Sequence, residues 1–167
     1  VTMEEKRRIA EKVLVRYGLN GDKAFRYTVS KTGASGMAQI MATTYSHKSK
    51  KSKTLGIAQK YPSANLITDV ELGRLDPVNA VKAEILVFDD KLAEVKTKIA
   101  NSGSKAKKIF NDLTPDQLDE VRAMSYNGGS SKYNLSTGTL NMRARGAKET
   151  DGFLKKLRVI RELKLFD

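Results

Sequence analysis

Apolar residues recur every three or four positions over most of the chain, which is the spacing of amphipathic helices. The clearest case follows Asp76 and Pro77, a good N-cap and a proline at the first helical position, and predicts a helix to about Ser102. Its apolar positions are Val81, Ile85, Phe88, Leu92, Val95 and Ile99. Strand patterns are scarce, and the best one, FRYTVSKTG, is too short to form a sheet. We therefore expect a mainly α fold with at most a minimal β element.

Further segments combine helical apolar spacing with capping residues at their ends. They are residues 2 to about 18, a short stretch before Pro62, 115–127 and about 148–165. Thr114 and Gln117 have the spacing of a capping box in the third of these. Two tracts rich in Lys, Ser and Gly, 46–53 and 101–108, are expected to be loops. Without a repeat or a linker, one domain over residues 1–167 is expected.

The charge balance narrows the class of partner. The chain has 31 basic and 19 acidic residues, a net charge of +12, which favours nucleic acid, anionic lipid or acidic cell-wall polymers. A nucleic-acid binder would more often present exposed aromatic residues on a strand platform or a recognition helix, and the sequence contains no such module. We therefore expect no nucleic-acid partner.

The lack of cysteine and the single histidine limit the kinds of catalytic and metal site that the chain can form. The chain has no cysteine, which excludes disulfides, a thiolate nucleophile and a cysteine-based zinc site. Its only histidine, His47, lies in a basic tract and is expected to be solvated, so neither a metal nor a cofactor is expected. No apolar stretch is long enough to span a bilayer or to form a signal core. Because the chain begins at Val1, we expect a processed or truncated product, and we expect a monomer.

The stretch TGASGMAQIMATTY is the first candidate for chemistry. Gly33 and Gly36 permit tight turns or a close approach by a ligand, and Gln39 brings two donors and an acceptor into an apolar run. In SYNGG, the Tyr126 ring could stack on a ligand and donate a hydrogen bond, and Asn127 could order the following loop. From the residues alone, the alternative stays open that the two amides cap turns and the tyrosine is core.

Three segments, in order, resemble the lytic transglycosylases of the lysozyme-like superfamily, which cleave the glycan strands of peptidoglycan. VSKTGASGMAQIM resembles that family's Ser, Gly-Ala-x-Gly and Gln-Ile core, DPVNAVKAEIL its next helix, and SYNGG its Tyr-Asn-Gly signature. The resemblance covers Ser30 to about Ser130 and implies a lysozyme-like fold of the goose or SLT type. It implies peptidoglycan strands as partner, in the periplasm, in the cell envelope or outside the cell. The substrate-binding residues that it implies are Ser30, Gly36, Gln39, Tyr126 and Asn127.

The resemblance further implies one glutamic acid that protonates the departing glycosidic oxygen, while the 6-hydroxyl of the substrate closes an anhydro sugar. In the family this acid stands about a dozen residues before the Gly-Ala pair, where the present chain has Gly21. The neighbouring Asp22 fits only with one deletion and a shorter side chain. Three placements stay open: an acid upstream of Val1, Asp22, or a glutamate of the first helix. These glutamates are Glu4, Glu5 and Glu11, and Glu71 and Glu84 enter only if the fold departs from expectation.

The leading functional hypothesis is a lytic transglycosylase domain that gives 1,6-anhydro products. The alternative is a catalytically silent peptidoglycan-binding or scaffold module of the same fold. A basic helical nucleic-acid binder is a third possibility, supported by charge alone.

Overall fold

In the computed structural model, the described residues are 2–4, 7–8, 29–36, 38–47, 55–126 and 129–162. They are mainly helical, as predicted, and form no extended strand. Their β structure is limited to the isolated bridges Val29–Ser35, Ser35–Ile40 and Tyr133–Leu140. Contacts divide the chain into two compact units, residues 11–87 and residues 1–10 with 88–167. The single-domain organisation stays a prediction.

The described residues of the unit 11–87 form short helices and the start of a long one. They are α1 (Ala42–Tyr45), α2 (Ile57–Lys60), a 3-10 turn (Pro62–Ala64), α3 (Val70–Leu75) and the first turns of α4 (Pro77–Ala100). Helix α2 confirms the short helix expected before Pro62. Helix α3 was not predicted, because six residues carry too little periodicity to be recognised. Its N-terminus is capped by Asp69, whose Oδ1 accepts from the Leu72 N–H at 2.7 Å.

Helix α4 begins where the sequence predicts. Asp76 Oδ1 accepts from the Asn79 N–H at 2.8 Å, the bond expected of an N-cap residue. The buried face of its first half differs from the prediction, since Val81 and Ile85 are 44% and 56% exposed. The buried positions there are Ala80, Ala83 and Val87. Alanine allows neighbouring backbone to approach closely, so side-chain size alone did not identify the packed face.

The second unit holds its core between the end of α4 and three later helices. These are α5 (Ser104–Asn111), α6 (Pro115–Tyr126) and α7 (Ala147–Glu162), with a 3-10 turn at Ser130–Lys132. The core residues are Leu92, Val95, Ile99, Val121, Ala123, Met124, Tyr133 and Leu154. The predicted capping box of α6 is present: the Thr114 N–H donates to Gln117 Oε1 at 2.8 Å, and the Gln117 N–H donates to Thr114 Oγ1 at 3.3 Å.

The prediction of a loop at 101–108 is wrong for its second half, which belongs to α5. Gly103 occupies the N-cap position of this helix. Ala106 and Phe110 pack against the core, and the lysines between and beside them stay exposed. The high lysine content indicated a solvated tract, but two apolar residues four positions apart are enough to hold one side of a short helix.

Other predictions fall partly outside the described residues. Of the first predicted helix, positions 3, 4, 7 and 8 are helical, whereas residues 9–28 are not described. The predicted loop at 46–53 is described only at Ser46 and His47. The last helix agrees with its prediction as far as Glu162. No helix in the described part of the chain is long and apolar enough to cross a membrane.

Candidate functional site

Residues 29–40 form two consecutive tight turns, which we call the double-turn loop. In the first turn, the Gly33 N–H donates to the Ser30 carbonyl at 3.0 Å, and the Ala34 N–H donates to Ser30 Oγ at 2.9 Å. The second turn is closed by Ser35 and Ile40, which exchange backbone hydrogen bonds of 3.2 and 3.3 Å. Ser30, a predicted substrate-binding residue, thus caps the turn with its side chain.

Gln39 occupies an unusual backbone conformation in the second turn. Its φ is 49°, in the left-handed region that few residues other than glycine adopt. Its side-chain Nε2 folds back to donate to the Gly36 carbonyl at 2.8 Å. Gln39 is partly exposed as a residue, although its side-chain amide is engaged within the loop. A strained conformation of this kind persists only where the surroundings fix it, and such sites cluster at functional positions.

Gly36 and Gly33 have different surroundings. Gly36 has a φ of 77°, and a Cβ added there would lie 2.0 Å from the carbonyl oxygen of Arg74. Close packing against α3 therefore requires a glycine at position 36. Gly33, with a φ of 86°, is exposed and has nothing within 4 Å of an added Cβ. Gly33 is thus the glycine of the loop that leaves room for a ligand.

Arg74 at the end of α3 holds the double-turn loop in place. Arg74 is only 4% exposed. One of its guanidinium nitrogens donates to the carbonyl of Gly33 at 3.0 Å and to that of Ile40 at 3.2 Å. Another guanidinium nitrogen is paired with Glu71. A buried guanidinium with satisfied donors is costly to disrupt, so the loop backbone is firmly fixed. Nothing in the sequence spacing marks Arg74 for this role.

Asn79 and Tyr45 join the DPVNAVKAEIL segment to α1, which directly follows the first resembling segment. The Asn79 Nδ2 donates to Tyr45 Oη at 2.8 Å and to the Gly73 carbonyl at 2.6 Å. Asn79 Oδ1 accepts from the Ile67 N–H at 2.9 Å, and the Tyr45 hydroxyl donates to the Ile67 carbonyl at 2.5 Å. Burial raises the pKa of the Tyr45 hydroxyl, although the hydrogen bond from Asn79 acts in the opposite direction. The resemblance had pointed to Asn79 without giving it a role.

The described carboxyl groups differ in their fitness for acid catalysis. Glu84, on α4, is partly buried, and burial raises its pKa. No other described residue offers it a hydrogen bond or an ion pair. Glu71 is engaged by Arg74, and Glu4 is exposed. A general acid must hold its proton near neutral pH, so of these three Glu84 has the most suitable character. The candidates Asp22, Glu5 and Glu11 lie outside the described residues.

Tyr126 is the last residue of α6, in the second unit. Its ring is tilted by 39° against Phe88, with the ring centroids 4.8 Å apart, so part of its surface is taken up by packing. Ser125 beside it is fully buried, and its hydroxyl has no hydrogen-bond partner among the described residues. Gly129, with a φ of 77°, donates its N–H to the Ser125 carbonyl at 2.7 Å and so closes the helix end. Asn127 lies outside the described residues.

The predicted site residues are thus distributed over both units. The structure brings together Ser30, Gly36 and Gln39 in the double-turn loop. Tyr126 belongs to the other unit, so a shared cleft stays a prediction. No three His, Cys, Asp or Glu side chains of the described ranges cluster closely enough to hold a metal ion. Comparison with models of protein families, with curated proteins and with solved structures finds no match to this chain.

Proposed function

We propose that this protein binds the glycan strands of peptidoglycan and cleaves them as a lytic transglycosylase with a lysozyme-like fold. The reaction breaks the MurNAc–GlcNAc bond and leaves a 1,6-anhydro sugar. The observation that carries this proposal is the left-handed backbone of Gln39, a partly exposed residue of the double-turn loop. This loop is also the segment with the fullest resemblance to the transglycosylases.

The contacts around the loop support a binding role. Sugar hydroxyls are both donors and acceptors, and an amide matches both with one planar group. Arg74 and Gly36 fix the backbone from within, so the position of Gln39 is set before a ligand arrives. A preorganised polar group of this kind loses little conformational freedom on binding. The bond between Tyr45 and Asn79 also joins α1, which follows the first resembling segment, to the DPVNAVKAEIL segment.

Cleavage requires a proton donor. In the proposed reaction a carboxylic acid protonates the glycosidic oxygen, that bond breaks, and the MurNAc 6-hydroxyl attacks the anomeric carbon while its proton passes to the carboxylate. Asp22, a first-helix glutamate and an acid upstream of Val1 are the candidates from the sequence. Glu84 joins them, since burial already favours its protonated form.

A second function keeps the binding surface without the chemistry. If none of these carboxyls protonates the bond, the protein is a wall-binding or scaffold module of the same fold. The net charge of +12 favours the anionic wall in either case, and either function places the protein in the cell envelope or outside the cell.

Digestion of purified peptidoglycan, followed by mass spectrometry, separates these functions. Anhydro-muropeptides support the transglycosylase, whereas new reducing ends would identify a hydrolase. Cosedimentation with the wall but without products supports the silent module. DNA binding that weakens steeply with salt, without wall binding, would overturn both.

The site assignment is tested with single substitutions in the same assay. Gln39→Ala should weaken wall binding by about tenfold, because an amide that makes two hydrogen bonds is lost. Gln117→Ala is the matched control, since it removes an exposed glutamine of the other unit whose contacts cap α6. Asp22→Asn and Glu84→Gln test the acid. If the chain is active and neither Gln39→Ala nor the two carboxyl substitutions change its rate, the assignment is wrong.

A further inference from the structure

A groove lies between the end of α4 and helix α5 in the second unit. Its volume is about 370 Å³, and it is lined by Lys96, Ile99, Ala100, Lys107, Phe110 and Asn111. Ile99 is buried and forms an apolar floor. The ring of Phe110 meets that of Tyr133 edge to face, with centroids 6.0 Å apart, which holds this wall in position. The groove is therefore an apolar surface supported by the core.

The rim of the groove is positively charged. Lys96 and Lys107 are exposed, and no described carboxylate pairs with either ammonium. The sequence from 96 to 108 contains five lysines and no acidic residue. Glu94, the acid just before this tract, is engaged by Lys91 at 2.5 Å. Two unpaired ammonium groups beside an apolar floor match a ligand that carries carboxylates next to small apolar groups.

The size of the groove limits the ligand. Its volume lies near the lower end of the range of small-molecule sites, about 300–1,000 Å³. It can hold a few small side chains but not the chains of a lipid. Asn111 on the rim adds an amide that can bind a peptide backbone. A short acidic peptide with methyl side chains meets all of these requirements.

From these features we infer that the groove binds the peptide stems of peptidoglycan, with Lys96 and Lys107 holding two carboxylates and the apolar floor receiving the alanine methyls. This inference rests on the proposed function, because the wall polymer is what brings such stems to the protein. It adds a second contact to the same polymer, separate from the glycan contact at Gln39.

The test uses the full chain and the synthetic stem peptide L-Ala-γ-D-Glu-L-Lys-D-Ala with both amines acetylated, so that the two carboxylates are its only charges, titrated by NMR or calorimetry. We expect saturable binding, with NMR shifts at the groove residues. The same peptide with both carboxylates amidated should bind about tenfold more weakly, since each exposed charge pair contributes up to about fivefold. The double substitution Lys96→Gln with Lys107→Gln should have the same effect. Lys148→Gln with Lys156→Gln removes equal charge elsewhere and should leave the affinity within about twofold.

A second pair of variants tests the inference independently, in case the lysine variants do not fold. Ala100 is exposed on the groove rim, so both Ala100→Gln and Ala100→Glu should fold. The glutamate variant should bind about fivefold more weakly than the glutamine variant, because it places a like charge beside the ligand. Equal affinities of the two variants would overturn the inference.

Several other results of these titrations would overturn the inference. It is overturned if the peptide does not bind, if amidation has no effect, or if both lysine pairs matter equally. It is also overturned if anionic phosphatidylglycerol vesicles bind through Lys96 and Lys107 and the peptide does not. Binding to glycan strands stripped of peptide tests the proposed function separately. Glycan binding without peptide binding removes only this inference, whereas groove-dependent peptide binding with neither binding to stripped glycan strands nor cleavage removes only the proposed function.

Discussion

Substitution of Gly36 by alanine tests whether the double-turn loop is fixed by its packing on α3. The new Cβ would lie 2.0 Å from the Arg74 carbonyl oxygen, which is backbone and cannot swing aside. The left-handed φ of 77° costs alanine about 1–2 kcal/mol relative to glycine. Displacement of the packed backbone adds about 1–3 kcal/mol. We expect a total loss of about 2–5 kcal/mol in the free energy of unfolding, measured by urea denaturation and circular dichroism.

Gly33→Ala is the matched control for this experiment. Its φ of 86° carries the same conformational penalty, but the added Cβ meets nothing within 4 Å. Gly33→Ala should therefore cost only about 1–2 kcal/mol, and the difference between the two variants isolates the contact with Arg74. If Gly36→Ala is no more destabilising than Gly33→Ala, the close approach of α3 is not as described, and the argument for a preformed loop fails.

Three further substitutions test the charges of the structure by urea denaturation. Glu84→Gln should raise the free energy of unfolding at pH 7, because burial penalises the charged carboxylate. This gain should vanish as the pH falls below about 4.5, where the carboxyl is protonated in both the folded and the unfolded protein. An equal gain at pH 4 would contradict the raised pKa. Arg74→Met should cost about 2–4 kcal/mol, because it leaves the carbonyls of Gly33 and Ile40 without their donor, whereas its ion-pair partner Glu71 is already largely exposed. The exposed control Arg145→Met should change stability by less than about 0.5 kcal/mol, and similar effects of the two substitutions would refute the role of Arg74 in holding the loop. Arg158 lowers the pKa of Glu120 through two hydrogen bonds of 2.7 Å. Glu120→Gln should therefore lower the free energy of unfolding by about 1 kcal/mol at pH 7. The loss should disappear once the pH is below the lowered pKa, because Glu120 is then uncharged as well. A pH-independent cost would refute the last prediction.

Helix ends could be predicted where they depend on residues that are close in the sequence. The start of α4 and the capping box of α6 depend on residues within one turn, and both are as predicted. Helix α5 was missed because its stability comes from Ala106 and Phe110 packing on a core assembled from distant segments. The buried face of early α4 was misjudged for the same reason, since a sequence does not reveal which neighbour approaches an alanine.

The sequence allowed us to predict which residues belong to the candidate site, but not their backbone conformation, their burial or the contacts that hold them. Gln39 and Gly36 could be picked out as a polar group and a turn residue, but their left-handed backbone depends on what surrounds them. Arg74 could not be anticipated, because a buried arginine looks like any surface cation in a sequence. The raised pKa of Glu84 likewise comes from burial, which only the folded chain reveals.

The turns of the double-turn loop are closed by local bonds, but the bonds that fix the loop and the neighbouring α1 to later helices reach far along the chain. Arg74 and Gly33 are 41 residues apart, and Asn79 and Tyr45 are 34 residues apart. Contacts of this span require a large loop to close before they can form, which makes them late events. We therefore expect the local turns at 29–40 to reach their final position only after α3 and α4 have formed. A partial opening that releases α3 would dissolve the loop while the other unit keeps its own core.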